Sequence, residues 1–217
     1  SLLPLPSATL HGLSIGQTQP ITFDSITVRP ALGSLWQEVK VLRAVEVEGF
    51  TVDRRLLALA VALAKPGDAP PLVTVQRVKL RAMQLDLEPL KWGLLRADIA
   101  LHDRGVEEVT AASEDNKFKL QLTQGSEQAT QELLITAKDW PLPIKPGLEF
   151  EQLTAKGVLR QNNLNISDID AKLYGGKLVG KVNVDWVRDW QVRGEVQASH
   201  VETKEAVARV MLACSTV

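Results

Sequence analysis

Few residues of this 217-residue chain have both the type and the spacing that chemistry requires. His11, His102 and His200 are far apart, and none has a second histidine at metal-ligand spacing, so each reads as a structural histidine. His102-Asp103-Arg104 closes an alternating run and opens a polar turn, which accounts for it without a site. Asp168 and Asp170 stand two apart, with a phase slip at Asp168 that leaves their facing open. A carboxylate pair for acid/base work also needs a cleft that drives the two pKa values apart. Cys214 is the single cysteine, which excludes an internal disulfide framework and a Cys-based zinc knuckle. No histidine is near it in sequence and it follows an apolar stripe, so it reads as a passive thiol. No Gly-x-Ser-x-Gly nucleophile elbow occurs. No catalytic residue, metal or cofactor is expected from this inventory.

Two further patterns resemble sites. Gly175 to Lys181 reads Gly-Gly-Lys-Leu-Val-Gly-Lys and fits the first seven positions of the phosphate-binding P-loop. The eighth is Val182, not Ser or Thr, so the hydroxyl for magnesium is missing, and an alternating strand follows where a helix is needed. Nucleotide binding is not expected. Asn165-Ile166-Ser167 matches a glycosylation sequon, a short pattern met often by chance. Trp92, Trp140, Trp186 and Trp190 could form a carbohydrate platform, but Trp186 and Trp190 fall on the apolar side of their runs, where packing explains them. With 25 Lys plus Arg against 26 Asp plus Glu, net charge is −1 and no basic patch interleaves with aromatics, so nucleic acid is not an expected partner.

The elements behind these residues are strands. Apolar residues recur with period two at Ile21, Phe23 and then Ile26, Val28, with a slip at Asp24-Ser25; at Val39, Val41 and then Val45, Val47; and from Val73 through Ala82 to Leu85 and Leu87. Leu95 to Leu101 alternate without error, and Phe118, Leu120, Leu122 and then Leu133, Ile135, Ala137 form further runs. Each predicts a half-buried antiparallel strand, and each slip predicts a β-bulge. From Leu164 to Ser199 the pattern predicts a three-strand meander, with its first turn at Gly175-Gly176. Its apolar face carries Leu178, Gly180, Val182, Val184, Trp186, Val192, Gly194, Val196 and Ala198, and the glycines there would leave room for something close to the backbone.

Two short helices are expected. Residues 54–64 follow Asp53 as N-cap and end before Pro66-Gly67; a strand apolar on both faces is the alternative, disfavoured by the alanine content. Residues 203–213 follow Thr203, with Ala206, Val207, Val210 and Met211 on one stripe. The proline-rich joint Pro141–Pro146 divides the chain into 1–140 and 141–217, or turns it within one long sheet. The longest apolar run, Leu56 to Ala64, is nine residues, short of the about 20 that cross a bilayer. The chain reads as a piece of a longer protein.

The expected fold is therefore mainly β: an elongated, curved antiparallel sheet with the two helices. Its apolar faces must be covered. Either two sheets close as an open sandwich, or one sheet curves into a groove whose lining of Val, Leu, Ile, Ala and Gly takes an apolar ligand or a short helix.

Ser1 to Gly16 (SLLPLPSATLHGLSIG) resembles the segment after the membrane anchor in the AsmA family of bacterial envelope proteins. Pro20 to Val52 (PITFDSITVRPALGSLWQEVKVLRAVEVEGFTV), Lys138 to Leu159 (KDWPLPIKPGLEFEQLTAKGVL) and Leu173 to Glu202 (LYGGKLVGKVNVDWVRDWQVRGEVQASHVE) are similar to that family's strand pairs. The resemblance covers most of the chain and consists of strands and turns, without a catalytic signature. It implies an inner-membrane protein with one N-terminal helix and a β-rich periplasmic part, related to TamB-like and chorein-like β-groove proteins. It also implies a non-enzymatic phospholipid conduit toward the outer membrane, supporting outer-membrane biogenesis. Leu178, Gly180, Val182, Val184, Trp186, Val192, Gly194 and Val196 would then contact acyl chains. Set against that family the anchor is missing and the chain ends sooner, which leaves the bridge length and any outer-membrane partner open. The alternative function is a scaffold for outer-membrane proteins, acting through an exposed sheet edge by strand addition.

Overall fold

The computed structural model describes residues 6–16, 20–53, 56, 72–87, 90–102, 105–125, 130–142, 148–160, 162–185 and 191–200. They are mainly β-strand, as the alternation predicts. No complete α-helix lies among them. The helix expected at 203–213 falls outside the described residues, and so does that at 54–64 except for Leu56. Leu56 is helical, and its amide donates to Asp53 Oδ1 at 2.8 Å, the bond expected of an Asp53 N-cap. The chain divides into two compact units, Ser1–Glu107 and Glu108–Val217. The expected joint at 140/141 lies inside the second, in a hairpin where Leu142 N donates to Leu148 O; there it turns the chain within a sheet.

The first unit holds β1 (Ala8–Ile15), β2 (Ile21–Pro30), β3 (Lys40–Asp53), β4 (Val73–Val75), β5 (Arg77–Leu87) and β6 (Leu90–His102). Its sheet runs β1-β2-β3-β5-β6, with β4 also on β3. The expected all-antiparallel pairing fails at β3, which pairs parallel with both β4 and β5. A parallel pair needs a long return connection, and the chain between Asp53 and Val73 makes it. Gln76, which donates to Leu42 O and accepts from Leu101 N, separates β4 from β5, so the single run from Val73 is two strands.

Three positive-φ residues line up across this sheet. Gly12 in β1, Gly49 in β3 and Ala82 in β5 have φ of 62°, 66° and 48°. Gly12 faces Asp24 in β2, Asp24 lies against Gly49, and Gly49 is level with Ala82. Each re-phases its strand, so apolar residues three apart share a face. Ile26 pairs with Val47 on one side of the row, and Phe23 stacks near Phe50 at 5.7 Å on the other. Leu80 and Met83 straddle Ala82 in the same way, opposite Ala97 and Leu95. The slips at Asp24-Ser25 and near Ala82 are this row. The Arg81 guanidinium donates to Leu80 O at 3.0 Å and Ala97 O at 3.3 Å, carbonyls beside the register shift.

The second unit runs β7 (Gly105–Ser113, from Glu108 on), β8 (Phe118–Gln124), β9 (Thr130–Pro141), β10 (Glu149–Arg160), β11 (Asn163–Leu173), β12 (Gly176–Asp185) and β13 (Gln191–Ser199), each antiparallel to the next. Its polar turn after Ser113 is fixed by Asp115, which accepts from Ser113 Oγ and Lys117 N. These bonds hold the Asp115 carboxyl below its usual pKa, so their stabilising effect is present above pH 3.8 and is lost as the pH falls through the lowered value. Asp139, at φ 47°, repeats the re-phasing of the first unit: Ala137 and Trp140, three apart, are both buried. Trp140 lies 4.9 Å from Phe118 and 6.3 Å from Phe150, ring centre to ring centre, and this trio anchors the core.

Gly49 combines a left-handed backbone with a Cβ position occupied by the Asp24 carboxylate, whereas Gly12 shares the backbone with open space around it. Gly12→Ala should cost about 1–2 kcal/mol from its backbone. Gly49→Ala should cost more, and denaturant midpoints of the two variants measure the difference.

Candidate functional site: the apolar face of the C-terminal meander

β11, β12 and β13 form the expected three-strand meander. The hairpin is one residue earlier than predicted. Leu173 pairs with Gly176, and the two loop residues are Tyr174 and Gly175, at φ 49° and 69°. Two positive φ values suit the right-handed twist of the flanking strands. Gly175 N donates to Glu151 Oε1 at 2.9 Å, which ties the turn to β10.

The register settles the faces. Leu178 pairs with Ala171 and Ala198, Gly180 with Ile169 and Val196, Val182 with Ile166 and Gly194, and Val184 with Leu164 and Val192. Seven of the eight expected site residues therefore share one face; Trp186 lies outside the described residues. Leu164, Ile166 and Ile169 join that face and were absent from the expected set. Ile166 and Ile169 are three apart, and the shift between them in the β11–β12 pairing brings both to one side. That slip is the sequence signal that marks them.

Burial falls steeply across this face. Ala171 and Leu173 in β11 are buried, and Leu178, Val182 and Val184 in β12 are half-buried. Val192 and Val196 in β13 are 68% and 53% exposed. Among the described residues no large side chain is below 2% exposure.

The glycines have a different role from the one expected. A Cβ on Gly180 would lie 2.5 Å from Glu195 O, and one on Gly194 would lie 2.8 Å from Lys181 O. The space in front of each is taken by the neighbouring strand. Each faces a β-branched partner, Val196 or Val182, so the missing side chains let β12 and β13 approach closely.

The opposite face is polar. Asn163 and Asn183 exchange amide bonds at 3.1 and 3.2 Å, and Lys181 meets Glu195 at 3.1 Å. Asn165, Lys181, Asn183, Arg193 and Glu195 border a shallow depression of about 300 Å³ there. Asp168 and Asp170 are both exposed, and Asp170 meets Lys177 at 2.8 Å, a solvated face rather than an acid/base pair. The P-loop-like Gly175 to Lys181 is a tight turn running into β12, so no helix start is there to cradle phosphate. His11 and His102 are exposed strand residues, His200 is exposed beyond β13, and Cys214 is outside the described residues. No group of three or more metal-ligating side chains occurs among the described residues. None of the helices there is long and apolar enough to cross a membrane.

Comparison with protein-family models finds no match, and comparison with curated proteins finds none.

Gly180→Ala should destabilise by about 1–3 kcal/mol because its neighbour is backbone. Val192→Ser should stay within about 0.5 kcal/mol. Thermal unfolding of the pair separates a residue held by strand packing from one that faces open space.

Proposed function

We propose that this chain is a non-enzymatic lipid-contacting module, the periplasmic part of an AsmA-like phospholipid conduit between inner and outer membranes. The observation that carries the reading is the exposure of Val192 and Val196 on an apolar face that begins in the core. Such a surface costs free energy in water unless something apolar covers it, and acyl chains cover it without demanding polar partners. Each buried CH₂ contributes about 0.8 kcal/mol, largely matched when a chain moves from one apolar position to the next, so transfer along the face needs no chemical step. Head groups stay in water beyond the β13 edge. A curved groove is the finer form of this architecture. The AsmA resemblance of the strand and turn segments supplies the envelope setting, with attachment to the inner membrane through an N-terminal helix and an outer-membrane partner at the far end.

A second reading draws on the β13 edge. Among the described residues β13 pairs only with β12, so its nine residues present free backbone groups to an added strand of an outer-membrane protein.

Photocrosslinking amino acids placed singly at Val192, Arg193, Glu195 and Val196 test the conduit in cells. Phospholipid adducts are expected at Val192 and Val196 and not at Arg193 or Glu195. Protein adducts at all four, without lipid, would favour strand addition and defeat the conduit.

A further inference from the structure

We propose that the β2–β3 loop of the first unit is a bilayer-docking element, seated in the headgroup region of a phospholipid membrane. Trp36, at its tip, is 84% exposed, and Leu32, Leu35 and Val39 around it are exposed as well. A second segment adds to the patch. Lys40 N donates to Leu72 O at 2.9 Å and Lys40 pairs with Val73, so exposed Leu72 and Val73 lie beside the loop. Six large apolar residues from two stretches of chain thus converge at one end of β3. Scattered exposed apolar residues are ordinary on a protein surface; a cluster with a tryptophan at its tip marks an interaction site.

Three observations favour a bilayer over a protein surface. First, the turn is held by hydrogen bonds of Ser34, without support from its apolar side chains. Ser34, the buried residue of its 3-10 turn (Leu32–Ser34), accepts from Val41 N at 2.8 Å and lies 2.9 Å from Ala31 O. Second, part of its backbone is bonded internally. Ala31 N bonds Val41 O, and the amides of Ser34, Leu35 and Gln37 bond Ala31 O, Leu32 O and Ser34 O. The Lys40 ammonium spans Leu35 O and Gln37 O. Each group bonded internally lowers the cost of entering a medium poor in water, where an open carbonyl would cost several kcal/mol. Third, the charged residues at its margin are Glu38, Lys40 and Arg43, one negative and two positive, so anionic headgroups are not repelled. Indole, with an apolar body and one donor, favours the headgroup level of a membrane.

This inference does not rest on the acyl-chain reading of the second unit. It is tested by flotation of the purified chain with vesicles of phosphatidylethanolamine and phosphatidylglycerol, alongside Trp36→Ser and Leu35→Ser. The parent chain is expected to float and each variant to lose about tenfold in bound fraction, since binding scales with apolar area buried. Thermal midpoints should be unchanged, because both side chains are exposed. Bromine-labelled lipid should quench the emission of the parent chain and leave that of Trp36→Phe largely unquenched, an arm that stays decisive should a serine variant unfold. Equal flotation of parent and variants, or equal quenching of parent and Trp36→Phe, overturns the inference without touching adduct formation at Val192. A dimeric parent that Trp36→Ser turns into a monomer without any change in flotation assigns the patch to a second copy and also overturns it.

Discussion

An open sheet with one apolar face has one constraint to satisfy: every strand must keep its apolar side chains on the same side from end to end. Strand geometry alternates sides with period two, and a long strand accumulates twist. Residues with positive φ reconcile the two. Gly12, Gly49 and Ala82 form a row across the first unit, and Asp139 does the same in β9 of the second, each bringing apolar residues three apart onto one face. Without the row, Phe50 and Met83 would point away from Val47 and Leu80. Gly49 is the most constrained of these positions, because only hydrogen fits beside the Asp24 carboxylate.

The energetics follow from that arrangement. The cores are one-sided and rely on a few aromatic contacts, Phe23 with Phe50 and Trp140 with Phe118 and Phe150. Ion pairs such as Lys177 with Asp170 and Lys181 with Glu195 are exposed on the polar face, where each contributes about 0–1 kcal/mol. Stability therefore resides in apolar burial and ladder hydrogen bonds. Burial thins toward β13, which leaves Val192 and Val196 as apolar surface on a strand that, among the described residues, pairs only with β12. Stability and ligand capacity draw on the same face at different strands, and the close contact of Gly180 and Gly194 with their neighbours holds β12 and β13 together where burial is weakest.

Much of this was legible in the residues. Strand positions followed from alternation, and the phase slips at Asp24-Ser25 and between Ile166 and Ile169 marked real re-phasing. The composition of the candidate face, from Leu178 to Val196, followed from the same period. Four features were not legible. Parallel pairing of β3 with β5 depends on how the chain returns between Asp53 and Val73, and strand alternation is blind to direction. The Tyr174-Gly175 turn escaped because a pair of glycines is a stronger local signal than a tyrosine, although Tyr174 adopts the left-handed backbone there. The glycines on the apolar face suggested space for a ligand, because sequence cannot tell whether a missing side chain faces a ligand or the next strand. Trp36 carried no signal either, since exposure is a property of the surrounding fold.

The central claim, that an open sheet offers acyl chains an apolar face at β12–β13, is tested most directly by a nitroxide scan of β13 from Gln191 to Ser199. Collision with a water-soluble relaxation agent is recorded with and without phospholipid. The account predicts that lipid lowers accessibility at 192, 194, 196 and 198 and leaves 191, 193, 195 and 197 unchanged, the period of a strand with one lipid-covered face. Accessibility that lipid leaves unaltered at 192 and 196, or lowers equally at every position, would contradict it.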